Sequence, residues 1–170
     1  AQAQLTEAHN RVMTIAKIHE QLYTQSRTPD RIAFGPYLHA LCGSVAGTAV
    51  QARERVRVAV EADEADLPTD EAVSLALIAN ELLTNAFKHA FTNSGSGTIT
   101  VTFRVGSDGG RTLAVADDGC GLPTGADPLN GSGLGMRLIK ALAGQLGGRL
   151  DAADAGHGAR FTVALPARPA

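Results

Sequence analysis

Glu81-Leu-Leu-Thr-Asn85-Ala-Phe-Lys88-His89 lies in a run over 70–90 that also carries Val73, Leu75, Leu77 and Ile78. Apolar residues this dense, at this spacing, predict a helix buried on most sides. Glu81 and Asn85 then share one helix face, a turn apart. A carboxylate and a carboxamide are costly in such a helix unless they line a cavity or bind something. Their oxygens suit a hard cation such as magnesium, which takes few protein ligands and completes its shell with substrate phosphates. Lys88 and His89, one turn on, either reach phosphate oxygens or satisfy the helix C-terminal dipole.

Downstream come Asp117-Asp118-Gly119-Cys120-Gly121 and Gly131-Ser132-Gly133-Leu134-Gly135. Asp117 ends the apolar strand Leu113-Ala-Val-Ala, where a carboxylate presents acceptors to the exocyclic amine of adenine. Its alternative is to start the turn before Gly119, a role that suits Asp118 better. Gly119 and Gly121 permit a sharp turn with room for a base ring. Gly131, Gly133 and Gly135 bring backbone amides close to phosphates and open a helix over 134–147, whose N-terminus favours anions. No Gly-Lys-Ser/Thr follows, which excludes a P-loop, and no βαβ unit precedes, which argues against a dinucleotide fold. The Gly-, Pro- and Asp-rich segment 122–133 has no periodicity and is expected to be a loop serving as a lid. Cys120 has no base partner nearby and is expected to be a small turn residue.

The 170 residues fit one domain plus an appendage, and 44% hydrophobic content supports a sizeable core. Only 4% are aromatic and Trp is absent, so Leu, Val, Ile and Ala must build that core. A net charge of -2 gives no reason to propose nucleic acid. No apolar run reaches transmembrane length, and the expectation is a cytoplasmic protein with Cys42 and Cys120 reduced. Periodicity predicts helices over 5–25 and 36–51 and strands over 55–61, 98–105, 112–116, 149–152 and 159–165. Thr69 or Asp70 is expected to cap the helix over 70–90, and 93–97 and 107–110 to be turns. This order is not a regular βαβ alternation. It fits an α+β fold, a two-layer α/β sandwich with helices on one face of a mixed sheet.

Residues 81–90, 117–123 and 131–136 resemble the N, G1 and G2 boxes of the Bergerat-fold ATPases, the GHKL superfamily that includes gyrase, a heat-shock chaperone, mismatch-repair ATPases and sensor histidine kinases. Gly156-His-Gly158-Ala-Arg-Phe161-Thr-Val-Ala-Leu165-Pro166 is similar to the final kinase segment. Arg11-Val12-Met-Thr-Ile15-Ala16-Lys-Ile18-His19-Glu20-Gln-Leu22-Tyr23 resembles the second helix of the phosphotransfer hairpin in HisKA_2/HWE-related bacterial histidine kinases. The resemblance implies a partial dimerisation and phosphotransfer helix over 1–28 and a catalytic ATP-binding domain over 29–170.

It implies ATP and Mg2+ as cofactors. Asn85 ligates the magnesium, and Glu81 polarises the attacking group or orders a metal-bound water. Asp117 binds adenine, with Gly119 and Gly121 shaping the pocket. Gly131, Gly133, Leu134 and Gly135 form the lid hinge at the phosphates, which Lys88 and His89 also contact. Ala159 departs from the family, which often has Thr there, and weaker nucleotide affinity is expected.

The implied activity is transfer of the ATP γ-phosphoryl to a histidine and then to a response regulator. The His-Arg-Val-Lys-Asn-Asn-type acceptor motif does not occur in these residues, so the acceptor is expected outside the chain. His9, followed by Asn10-Arg11-Val12, is only a faint echo of it. A homodimer through the N-terminal helix is expected. The alternatives are a serine kinase of the anti-sigma-factor type and a degenerate histidine phosphotransferase.

Overall fold

A computed structural model describes residues 13, 16–18, 20, 30–49, 55–92, 96–125, 127–130 and 133–168. The elements are β1 (Arg31–Ala33), α1 (Phe34–Ala49), β2 (Arg55–Ala62), β3 (Asp66–Pro68), α2 (Thr69–His89), β4 (Ser96–Val105), β5 (Arg111–Asp117), α3 (Leu134–Gln145), β6 (Arg149–Asp154) and β7 (Ala159–Leu165). A five-stranded sheet has the order β2-β4-β5-β7-β6. β2 runs parallel to β4 and the other neighbours are antiparallel, so the sheet is mixed as expected. α1 packs on β2, α2 on β5 and α3 on β6. Ile99, Val101 and Phe103 alternate inward from β4, and Leu113, Val115, Val163 and Leu165 continue that layer across β5 and β7.

α1 buries Phe34, Tyr37, Leu38, Leu41 and Cys42, a stripe of helical period. It starts two residues before the expected Pro36 because the Phe34 N–H donates to the Ala65 carbonyl at 2.9 Å and holds the first turn. The Phe34 and Phe103 rings meet edge-on at 4.8 Å. Burial pushes the Cys42 thiol up to about 12, so it stays protonated and inert.

Several expectations are corrected. A separate antiparallel pair, β1 with β3, places Ile32 opposite Leu67, and no strand was foreseen at either. Neither Thr69 nor Asp70 caps α2: the N-cap is Pro68, with no side-chain bond. The chain enters the helix directly from β3, and the Thr69 N–H is already taken by the Asp30 carbonyl at 3.2 Å. β4 begins at Ser96, inside the expected turn, because Gly97 can lie against the Phe91 ring and the Asp118 carboxylate. The segment over 122–133 contains a 3-10 turn, Pro128–Asn130, held by Asp127, whose Oδ1 accepts from the Leu129 N–H at 2.9 Å.

Of the expected helix over 5–25, only 13, 16–18 and 20 are described; they are helical and the rest of that expectation lies outside the described residues. Ile18 is 1% exposed within the main apolar cluster, and Lys17 Nζ donates to Ser44 Oγ at 3.1 Å on α1. No helix among the described residues is long and apolar enough to cross a membrane.

The Tyr37 hydroxyl is buried without a hydrogen-bond partner among the described residues. Burial also raises its pKa above the usual phenol range. An unsatisfied buried donor costs about 1–3 kcal/mol. Tyr37→Phe is therefore expected to raise unfolding free energy by about 1 kcal/mol in urea titration; a loss of that size would show that the hydroxyl is satisfied.

Candidate functional site

The C-terminal half of α2 is the first wall of the site. Its length and apolar content hold it in the core, with Leu82, Leu83, Ala86 and Phe87 buried. Leu82, Asn85, Ala86 and His89 form the face turned toward a cavity of about 520 Å³. That size falls within the range of small-molecule pockets. Asn85 is half-buried, while Lys88 and His89 are exposed at the rim.

The second wall is built around Asp117, the last residue of β5. Its Oδ1 accepts the Gly119 N–H at 3.0 Å and the Ala159 N–H at 3.2 Å. The first bond makes Asp117, not Asp118, the residue that starts the turn. Asp118 instead secures β4: its Oδ1 accepts the Thr98 N–H at 2.7 Å. Oδ2 of Asp117 takes no hydrogen bond among the described residues, and Asp117 lines the cavity. One oxygen thus sets the carboxylate's orientation and the other is left as an acceptor.

Two glycines make this arrangement possible. Gly158 has φ +90°, and a Cβ there would fall 1.8 Å from the Asp117 carbonyl oxygen. A Cβ on Gly119 would fall 2.1 Å from the Ala90 carbonyl oxygen. Gly119 therefore serves close packing on the end of α2 rather than room for a ring, and it is absent from the cavity wall. The Cys120 N–H donates to that same Ala90 carbonyl at 2.8 Å. The Cys120 thiol, exposed and on the wall, donates to the His89 carbonyl at 3.2 Å. The turn over 117–121 thereby takes up carbonyls that the helix end leaves free.

The third wall is the start of α3. Gly133 is its N-cap and offers no side chain to the first-turn amides, which leaves them for an anion. Leu134 is 55% exposed there, and Gly135 and Met136 are buried.

The fold thus brings Asn85, Lys88, His89, Asp117, Gly121, Gly133, Leu134 and Gly135 to one cavity. Glu81 is buried a turn behind Asn85 and is not on the wall. Gly131 lies outside the described residues. Phe161 and Met136 also line the cavity, and neither was assigned a site role from the sequence. Alternation along β7 marks Phe161 as inward-facing, but only the sheet order shows that it borders this space.

Among the described residues no group of three or more His, Cys, Asp or Glu could hold a metal. The donor set fits magnesium only where it is held by Asn85 together with ligand phosphates.

Residues 70–169 match the family model described as histidine kinase-, DNA gyrase B-, and HSP90-like ATPase. Residues 1–49 match a second, described as histidine kinase. Blue-light-activated histidine kinase 2 of Erythrobacter litoralis is 32% identical over 135 residues, covering 79% of this chain and 38% of the relative. Sensor histidine kinase PdtaS of Mycobacterium tuberculosis is 28% identical over 153 residues, covering 89% of this chain and 30% of the relative. The chain thus spans well under half of either curated relative. The solved histidine kinase domain of the Erythrobacter litoralis EL346 blue-light-activated kinase superposes with a TM-score of 0.80 at 28% identity, over 92% of this chain and 72% of that one. The chain belongs to the histidine kinase-, DNA gyrase B- and HSP90-like ATPase family.

Proposed function

We propose that the cavity binds ATP with its base on Asp117 and its phosphates between Asn85 and the start of α3. The observation that carries this is the divided carboxylate of Asp117: Oδ1 is held by two backbone amides while Oδ2 stays available. An acceptor so placed selects an exocyclic amine, which adenine has at the matching edge. Gly121 shapes the base end, and Gly119 holds the turn to α2. Ala159 keeps the backbone bond to Asp117 but supplies no hydroxyl. Gly131, Gly133, Leu134 and Gly135 belong to a lid hinge, where the amides before and within the first turn of α3 contact phosphate oxygens. Lys88 adds positive charge at the rim, and His89 adds a ring nitrogen there.

Asn85 would hold Mg2+, which supplies charge neutralisation on the phosphates when bound. Glu81 lies behind Asn85 and off the wall, and would polarise the attacking group or order a water at that centre from one turn away. Phosphoryl transfer depends mainly on positioning and charge, and these residues are placed to provide both.

In the whole protein the γ-phosphoryl passes to a histidine and then to a response regulator in the bacterial cytoplasm. We place the boundary of the catalytic domain near residue 29, although the histidine kinase match runs to residue 49. Support comes from α1, which packs on β2 and α2. That match over 1–49 also disfavours the anti-sigma-type alternative.

Asp117→Asn is expected to weaken ATP binding by about ten- to a hundredfold, since a charged hydrogen bond contributes about 1.5–3 kcal/mol. Asn85→Ala should abolish the magnesium dependence of binding in calorimetry while leaving adenosine binding intact. Unchanged ATP·Mg binding in both variants would refute the assignment.

Incubation of the chain with γ-labelled ATP is expected to leave no acid-labile phosphate on it, and label on His9 would make that residue the acceptor. Self-association through the N-terminal helix must use faces other than that of Ile18, which is covered within the chain, whereas Met13 is 57% exposed. Light scattering at high concentration should give a dimer mass that falls to monomer in Met13→Glu, and a monomer at all concentrations would exclude this interface.

A further inference from the structure

At the end of the sheet remote from the cavity lies a buried charge cluster that the nucleotide chemistry does not use. Glu71, in the first turn of α2, has a side chain only 4% exposed, and Arg111, which opens β5, lies against it with Nε 2.8 Å from Oε1. The two atoms sit off the line of the N–H, so this is a charge pair rather than an aligned hydrogen bond. The same guanidinium donates to the Gly109 carbonyl at 3.3 Å and the Pro166 carbonyl at 3.2 Å. Arg168 approaches the second Glu71 oxygen at 3.6 Å. Arg111 thus ties α2 to the β4–β5 turn and to the end of β7.

Relative to well-packed apolar residues, such a pair brings little net stability, because desolvation offsets the attraction. What it does bring is direction. α2 and β5 both leave this cluster toward the cavity, which they reach at Asn85 and Asp117. The fourteen residues from Glu71 to Asn85 rise about 21 Å as helix. The six from Arg111 to Asp117 extend about 20 Å as strand. The elements are two rails of nearly equal length, joined at one end by the charge pair and at the other by the turn after β5, whose Cys120 N–H donates to the Ala90 carbonyl at 2.8 Å. β7 closes the same frame in the opposite sense, with Pro166 on Arg111 and the Ala159 N–H on Asp117. Between the ends the core is apolar, with Leu75, Ile78, Leu113 and Val115 among its members. Apolar contact is non-directional, so axial register falls to the polar contacts at the two ends: Cys120 on Ala90 beside the cavity and Glu71 with Arg111 at the far end.

We infer that Glu71 and Arg111 are positioning residues that pin the register of α2 on β5 and so set the span between Asn85 and Asp117. The inference rests on the nucleotide assignment above. A ligand that spans both residues feels the pin, and a ligand that engages only Asp117 does not. The ratio of ATP·Mg affinity to adenosine affinity therefore reports on it, whereas a purely structural role leaves that ratio unmoved.

The test is calorimetric titration of both ligands into the wild type, the paired replacement E71L/R111M, the conservative R111K, and Leu41→Ala. The paired replacement removes the charges without stranding either one, which keeps the fold. R111K keeps the charge opposite Glu71 but loses the fork that reaches two carbonyls. Leu41→Ala lowers stability on α1, away from both ends. In E71L/R111M, ATP·Mg affinity is expected to fall about tenfold, or about 1.4 kcal/mol, with adenosine affinity unchanged. R111K should fall in the same direction by less, and Leu41→Ala should keep the wild-type ratio. A wild-type ratio in both pin variants, or the same ratio change in Leu41→Ala, overturns the inference. A wild type that binds neither ligand overturns the nucleotide assignment and the pin with it.

Discussion

The carboxylate of Asp117 is the point on which the site depends. One oxygen accepts amides from Gly119 and Ala159, and the residue's own carbonyl lies against Gly158. Those contacts join the end of β5, the turn that follows it and the start of β7. The same turn docks on α2 through the Ala90 carbonyl. Two hydrogen bonds to a charged group contribute more than neutral ones, and they also lock its rotamer. The fold therefore presents a pre-oriented acceptor to the cavity, and pre-orientation spares the ligand an ordering cost.

The glycines around Asp117 explain why the arrangement tolerates little change. Gly158 and Gly119 each admit a backbone oxygen where any side chain would collide. Gly97 likewise accommodates Phe91 and the Asp118 carboxylate. Each lets two backbone segments approach closely, so strands β4, β5 and β7 and the end of α2 converge beside one cavity. Asn85 reaches the same space because the apolar remainder of α2 fixes which face of the helix turns inward.

Much of this was legible in the sequence where the signal is local. The dense apolar run over 70–90 specified α2 to within a residue at each end, and alternation located the strands of the large sheet. Asn85 and Asp117 stood out as polar groups at apolar places. Non-local features were not legible. The β1–β3 pair joins three-residue segments far apart in the chain, too short for periodicity to register. The missing cap on α2 follows from a hydrogen bond to Asp30 that no local rule supplies. Gly119 was expected to leave room for a ring, and only the approach of Ala90 reveals its packing role. Glu81 shares a helix face with Asn85, yet the cavity begins just beyond it.

The central claim is that a nucleotide base occupies the space beside Asp117 while its phosphates lie at Asn85 and α3. Amide-resolved NMR of the 15N-labelled chain, titrated with Mg2+ and a non-hydrolysable ATP analogue, tests this most directly. The account predicts saturable shifts at the Gly119 and Ala159 amides, at the Asn85 side-chain amide and at the first-turn amides of α3. Spectra that do not change at millimolar analogue, or shifts confined to residues away from these walls, would contradict it.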